Sequence, residues 1–249
     1  MIRVIVLVVH RYSLLPHFMR YYSSLGVDEF AVGCTRQNYE SIREILNDYP
    51  ASLYPVDDLP MPARFELGLG LEALRNAIGW PASEWHIPAD LDEFHQFPED
   101  LRDLVKFMER SDLHLLGGSF SDRVAPDGSL PAVQPTPSIW RQCPLEADIT
   151  QRLVRGNCNK VVLCRGSVVL AVGHHHSDSH GVTRWDAVVH HFKWRKGVLE
   201  ILRQRMETYR EKAVEFWVES DRVLRYFENT DRFNLCDFTW KLGWIPPGF

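Results

Sequence analysis

Trp85-His86-Ile87-Pro88-Ala89-Asp90-Leu91-Asp92-Glu93-Phe94-His95 is the stretch on which the reading of this chain turns. The apolar approach from Trp85 to Ala89 has the character of a buried strand that ends at Asp90. Three carboxylates then fall within four residues, at Asp90, Asp92 and Glu93. If the strand persists to Asp92, its period of two turns Asp90 and Asp92 to one face. Like charges that close repel, so the pair calls for a cation or a basic group between them. Hard carboxylate oxygens with room for water suit Mg²⁺ or Mn²⁺, above all when a substrate phosphate completes the shell. The alternative is an acidic turn that caps a helix starting near Pro98.

Working back from this stretch, strand and helix alternate. Ile2 to Val9 is a nearly unbroken β-branched run, the pattern of a strand covered on both faces. Leu15, Phe18, Tyr22 and Leu25 then recur at helical spacing, with Gly26 as a stop. Glu29 to Cys34 reads as a second strand, and Tyr39, Ile42, Ile45, Leu46 and Tyr49 as a second helix. Ala51 to Val56 is a third strand, closed by Asp57-Asp58 and a Pro60-Met61-Pro62 turn. Leu67, Leu71, Leu74 and Ile78 mark the helix that leads into Trp85. Such alternation predicts an α/β fold, a mainly parallel sheet flanked by helices. Ligands on these sheets bind at the carboxyl ends of the strands, where Asp57, Asp58, Asp90 and Asp92 fall. No Gly-rich fingerprint comes after the first strand, which argues against a nicotinamide or flavin enzyme. Arg64 and Arg75, ahead of the acidic strand, are either a solvated helix face or groups that neutralise a diphosphate.

Beyond the acidic stretch, Leu101, Leu104, Val105 and Met108 predict a helix. Leu113 to Phe120 predicts a strand that delivers Asp122, and Pro126-Asp127-Gly128 a turn. Cys158 to Cys164 and Val168 to Val172 read as a hairpin about Arg165-Gly166-Ser167. It leads into His174-His175-His176, and a second pair opens His191-Phe192-Lys193-Trp194-Arg195. Adjacent histidines on a strand alternate in direction, so one or two could ligate a metal. Otherwise they are core histidines bonded to backbone. Lys193 and Arg195, two apart, suit a diphosphate or a basic surface. A single amphipathic helix is expected from Val198 to Trp217, with the tail Trp240 to Trp244 folded back.

At 249 residues, 45% hydrophobic and 24% charged, the chain is an ordinary globular protein with a well-buried core. Its net charge of −5 argues against a nucleic-acid partner. No apolar run reaches membrane-spanning length and no signal peptide is evident, so the expected location is cytoplasmic. The five cysteines form no Cys-x-x-Cys pair and read as reduced, mostly buried thiols. With no linker or repeat, residues 1–196 are expected to form one domain and 197–249 an α-helical C-terminal extension on it.

Trp85-x-x-Pro88-x-Asp90-x-Asp92-Glu93-Phe94 resembles the signature of family 2-like glycosyltransferases with a GT-A fold, in the group related to the family 92 enzymes. Leu25-Gly26-Val27-Asp28-Glu29-Phe30, Lys160-Val161-Val162 leading to Gly173-x-His175, and His191-Phe192-Lys193-Trp194-Arg195 resemble further elements of that group in the same order. The resemblance spans about positions 1 to 230. It implies a metal-dependent transferase that moves a sugar from a nucleotide-sugar donor to an unidentified acceptor. Asp90 and Asp92 would hold metal and donor, and His175 would be the late metal-binding histidine. Asp57, Arg75, His191, Lys193 and Arg195 are the further donor-binding candidates. His10-Arg11-Tyr12 replaces the Asn-Glu that the family carries after its first strand. No separate acceptor domain is expected, and no motif places a catalytic base. Asp122 is the positional candidate, with Glu146 and Asp148 as rivals. Two other functions fit the residue types. One is a metal-dependent hydrolase using the Asp/His cluster. The other is a non-catalytic nucleotide- or carbohydrate-binding module.

Overall fold

The computed structural model describes residues 1–9, 12–58, 67–79, 81–182, 184, 186–212 and 214–249. Arg64, the Pro60-Met61-Pro62 turn and the His10-Arg11 pair lie outside them. In chain order the elements are β1 (Ile2–Val8), α1 (Leu15–Ser24), β2 (Glu29–Cys34), α2 (Tyr39–Leu46), β3 (Ala51–Pro55), α3 (Leu67–Ile78), β4 (Trp85–Pro88), β5 (Glu93–Gln96) and α4 (Leu101–Arg110). Next come β6 (Leu115–Val124), α5 (Ile139–Gln142), β7 (Leu145–Ala147), β8 (Asn159–Arg165), β9 (Ala187–His191), α6 (Val198–Glu211), α7 (Trp217–Tyr226) and β10 (Trp240–Leu242). The fold is mixed α/β with a mainly parallel central sheet flanked by helices, as the alternation predicts. No helix among the described residues is long and apolar enough to cross a membrane. All five cysteines are free thiols, three of them buried.

The chain divides into two compact units along a line other than the expected 196/197 boundary. One unit is Met1–Ser119 with Asn159–Val189, and the other is Phe120–Cys158 with His190–Phe249. In the first unit β3, β2, β1 and β4 run parallel, and β8 then pairs antiparallel with β4 and with the first half of β6. Alternation along β1 explains why its run is apolar throughout. Ile5 and Leu7 pack with Ala31, Leu71 and Leu74 on the α3 side, while Val4, Val6 and Val8 are buried on the opposite face. Gly33 leaves room there, because a Cβ on it would lie 2.5 Å from Leu7 and 2.8 Å from Val56.

The second unit holds the antiparallel order β6 (second half), β7, β10. Its core gathers Val124, Leu145, Ile149, Trp194, Leu202, Val223 and Phe233. The tail does fold back, as β10 on β7. The single long helix does not form. Backbone N–H groups of Lys212 and Val214 donate to Thr208 O (3.1 Å) and Tyr209 O (2.9 Å), closing α6 before α7 begins.

The expected hairpin about Gly166 is also replaced. β8 pairs with β4 and β6, and Gly166 N and Ser167 N donate to Glu84 O and Ala82 O in the approach to β4. In the segment after the turn Leu170 forms an isolated strand-like pairing with Ser177.

Candidate functional site

β4 ends at Pro88, and its last backbone bond to β1 is Ala89 N to Ile5 O at 3.1 Å. The chain then turns tightly, with Glu93 N donating to Asp90 O at 2.9 Å. Asp90 and Asp92 therefore lie on a turn at the strand's carboxyl end, not on one face of a continuing strand. Leu91 is buried between them, which anchors the turn. The turn is no helix cap, since the N-cap of α4 is Asp100, which accepts from Arg102 N and Asp103 N.

Helix α1 fixes β5, the strand that leaves the turn. Tyr22 Oη donates to Glu93 O (3.0 Å), Tyr21 Oη to His95 O (2.9 Å), and His95 N returns a bond to Tyr22 Oη. Phe18 packs edge-on to Phe94. The α1 aromatics thus clamp the acidic motif in position.

Lys160, on β8, is the residue that the sequence left without a partner. Its buried ammonium donates to Asp90 Oδ2 (3.0 Å), Glu93 Oε1 (3.0 Å) and Gly173 O (2.8 Å). All three ammonium protons are used. Burial works to raise the Asp90 carboxyl, but the Lys160 charge outweighs it and holds the group well below the usual carboxylate range. Burial works against the Lys160 ammonium in turn, yet Asp90 and Glu93 raise its pKa above the ordinary lysine value. Burial, then the Lys160 charge, pushes His95 down to about 3, so that ring is neutral.

The same lysine ties the acidic motif to the histidine run. Gly173, at φ +71°, and His174, at φ 56°, make a left-handed turn that presents His175. His175 Nδ1 lies 2.6 Å from Asn159 O. That contact requires an Nδ1 proton and leaves the lone pair on Nε2, the arrangement common in metal-binding histidines. Burial, then Lys160, lowers its pKa, which favours the neutral ring that ligation needs. Even so, no group of three or more His, Cys, Asp or Glu side chains among the described residues is arranged to hold a metal. Asp90, Asp92 and His175 are not a ready-made cage. Two carboxylates do fit a hard cation that takes its other ligands from phosphate and water.

The remaining candidates have other engagements. Asp57 is exposed in a 3₁₀ turn after β3 and accepts from Arg36 N at 2.6 Å. Arg75 is buried, not solvated, and donates to Glu72 (3.1 Å) and to Gly166 O. In the second unit Asp122 lies inside β6 and is 1% exposed. It accepts from Thr150 N (2.5 Å), Thr150 Oγ1 (2.8 Å) and Trp194 Nε1 (2.8 Å), with His191 Nδ1 at 3.3 Å. A carboxylate so enclosed does not present an oxygen to an acceptor. Glu146 is paired to Arg123 (3.2 Å) and Lys241 (3.2 Å), and Asp148 to Arg152 (2.7 Å). Arg195 turns back on its own loop, to Phe192 O (2.6 Å), and Lys193 lies over the Trp194 ring.

No family model matches the chain, and no curated protein sequence matches it. Among solved structures it is similar to HddC from Yersinia pseudotuberculosis, at 17% identity and a TM-score of 0.33, over 50% of this chain and 60% of that one. It is also similar to 4-diphosphocytidyl-2C-methyl-D-erythritol synthase from Anaerococcus prevotii, at 11% identity and a TM-score of 0.34, over 66% of this chain and 70% of that one. A further synthase of that name aligns at 12% identity with a TM-score of 0.33, over 67% and 75% of the two chains. Scores this low leave the chemistry to be read from the chain's own side chains.

Proposed function

We propose that the chain is a GT-A-like glycosyltransferase whose nucleotide-sugar donor is held at the Asp90–Glu93 turn. What carries the reading is the placement of that turn. It lies at the carboxyl end of a central parallel strand, pinned by Lys160 and by the α1 tyrosines. That is where α/β sheets bind ligands, and rigid support is what a donor site needs.

In this reading Asp90 and Asp92 hold a divalent cation, Mn²⁺ or Mg²⁺, with His175 as its third protein ligand. When bound, the cation offsets the negative charge that gathers on the departing nucleoside diphosphate. Lys160 keeps Asp90 ionised and oriented. The electrostatics require added positive charge. Lys160 spends all three of its protons on Asp90, Glu93 and Gly173 O, so it has none to give a diphosphate.

The test is a thermal-shift and calorimetric panel of nucleoside diphosphates and nucleotide sugars, with and without Mn²⁺. A nucleotide that stabilises the parent only with Mn²⁺, and fails to do so in Asp92→Asn, is the expected result. Asp92→Asn keeps the side chain's size, and its circular dichroism and urea midpoint are compared with the parent's to separate loss of binding from loss of fold. Equal binding by Asp92→Asn, or no nucleotide binding by the parent, overturns the proposal. Metal-dependent binding without sugar transfer or donor hydrolysis would instead mark a binding module.

A further inference from the structure

Gly243 and Trp244 follow β10 and lie across a buried cluster of polar and aromatic side chains. Gly243 N donates to Pro144 O at 2.8 Å. Trp244 N donates to Glu146 Oε1 (3.1 Å), and Trp244 O accepts from Arg123 Nη1 (3.1 Å). The Trp244 indole stacks on His190, with centroids 5.6 Å apart, and meets Trp140 edge-on at 5.5 Å. Glycine is required before it, because a Cβ on Gly243 would collide with the Arg123 guanidinium. All of these residues belong to the second unit. The two residues are received as a bound peptide would be, by a donor, two acceptors and an aromatic box.

Yet this segment leaves the cluster incompletely satisfied. Arg123 is wholly buried, over Trp140 and Phe192, and its Nε and Nη1 donate to Cys143 O, Glu146 and Trp244 O. Its Nη2 has no hydrogen-bond partner among the described residues. A buried guanidinium donor without an acceptor is costly, and the Trp244 carbonyl has only one oxygen to give. The segment is also lightly held. No residue from 240 to 249 contributes to the core around Trp194 and Phe233, and Trp240, Leu242 and Trp244 are 51%, 75% and 36% exposed. It can lift without opening that core, and the place of the Trp244 indole is then open to solvent.

We propose that Arg123, Glu146, Trp140 and His190 form a binding site for the C-terminus of a partner peptide that ends in glycine and an aromatic residue. The chain's own Gly243–Trp244 fills the site at rest. In the peptide complex the terminal carboxylate replaces Trp244 O and supplies the second oxygen that Nη2 lacks, since guanidinium and carboxylate pair through two bonds. The peptide's last N–H takes the Glu146 contact, and its aromatic ring takes the box. A free amino acid fits less well. Its ammonium would need a carboxylate, and Glu146 is already matched by Arg123 and Lys241, at 3.2 Å each. It also lacks the preceding N–H that Pro144 O accepts. None of these residues serves the Asp90 turn, so the site stands whether or not the chain is a transferase.

The test compares acetyl-Gly-Trp, with its free carboxylate, against its C-terminal amide, by calorimetry on the full chain. The parent's own segment competes as a tethered ligand, so Trp244→Ala, which empties the aromatic box, should bind the acid more tightly than the parent does. On Trp244→Ala the acid should bind at least ~10-fold more tightly than the amide, the worth of one charge-assisted bond. On the parent, the acid and not the amide should lower the hydrogen-exchange protection of the Trp244 N–H. Equal affinity for acid and amide, or an acid that binds neither protein, overturns the proposal. If Trp244→Ala does not fold, the exchange measurement on the parent decides alone. Lys241→Ala, a change at an exposed side chain, should keep the preference for the acid. Loss of the preference there would assign the carboxylate to Lys241 and overturn the role of Arg123.

Discussion

Lys160 Nζ stands 3.0 Å from Asp90 Oδ2, joining residues 70 positions apart in the chain. With Glu93 Oε1 also at 3.0 Å, one buried ammonium neutralises two of the three carboxylates of the acidic turn. Breaking a buried pair by removing one partner typically costs ~3–5 kcal/mol, because the other charge is left uncompensated. Lys160→Met should therefore lower unfolding free energy by about that much in urea titrations. A midpoint unchanged from the parent would mean that solvent, not Lys160, satisfies Asp90.

The pair also fixes a pH window. Asp90, with its carboxyl depressed, contributes stability that is present above the ordinary Asp range and lost as pH falls through its folded value. Lys160, raised, contributes stability present below the ordinary lysine value and lost as pH rises through its folded value. The contribution should be level between about pH 5 and about pH 10. The check is the difference in unfolding free energy between the parent and a triple variant, Lys160→Met with Asp90→Asn and Glu93→Gln, in which none of the three groups titrates; across that range it should stay constant.

Acid should act on the fold through the buried histidines. Burial, then Lys160, pushes His95 down to about 3, and burial, then Arg75, holds His86 well below its ordinary value. Between about pH 6.5 and those values the unfolded chain binds protons that the folded chain does not. Stability should fall with falling pH by about 1.4 kcal/mol per unit for each such proton. His95→Gln should flatten that slope by one proton, whatever its effect on absolute stability. An unaltered slope would show that His95 does not titrate on unfolding.

Much of the first unit could be read from residue order. The β-branched run of β1 and the helical spacing of α1, α2 and α3 report local backbone preference and burial, which sequence carries directly. The acidic turn was legible as a motif but not as a conformation. Only the bond from Glu93 N to Asp90 O decides that Asp90 and Asp92 leave the strand. Lys160 was legible with Gly173 and His175 as an element of the resemblance, but its carboxylate partners were not, because they come from the turn after β4 and from β5. The enclosure of Asp122 could not be read from the sequence, since Thr150 and Trp194 reach it from distant segments. Arg123, buried between Glu146, Cys143 O and Trp244 O, was missed for the same reason. Long-range polar satisfaction is set by topology, and a single sequence does not contain it.

The histidine run separates by environment. His176 is exposed beside Asp178, at 3.4 Å, whereas His175 is held by Asn159 O and faces the Lys160 cluster. His175→Ala should weaken Mn²⁺-dependent nucleotide binding by about tenfold or more, and His176→Ala should leave it unchanged. Calorimetry with Mn²⁺ and the nucleotide that the parent binds would check this. Equal affinities in all three proteins would remove His175 from the cation's shell.

Two glycines separate backbone strain from steric collision. Gly128 and Gly79 have similar dihedrals, φ +73° and +66°, in the region that L side chains rarely adopt. At Gly79 a Cβ would meet nothing within 4 Å, so Gly79→Ala should cost only the left-handed penalty, roughly 1–2 kcal/mol. At Gly128 the added Cβ would lie 2.1 Å from Phe233 O, a backbone atom. Phe233 cannot easily retreat. Its N–H donates to Gly128 O at 2.8 Å, and its ring packs edge-on to Trp194 at 5.1 Å in the core of the second unit. Gly128→Ala should therefore add an overpacking cost of ~1–3 kcal/mol to the same strain. Urea titrations of the two variants should show Gly128→Ala the less stable by that difference. Equal losses would mean that the Gly128–Phe233 contact relaxes without cost, and that backbone strain alone makes glycine favourable at this turn.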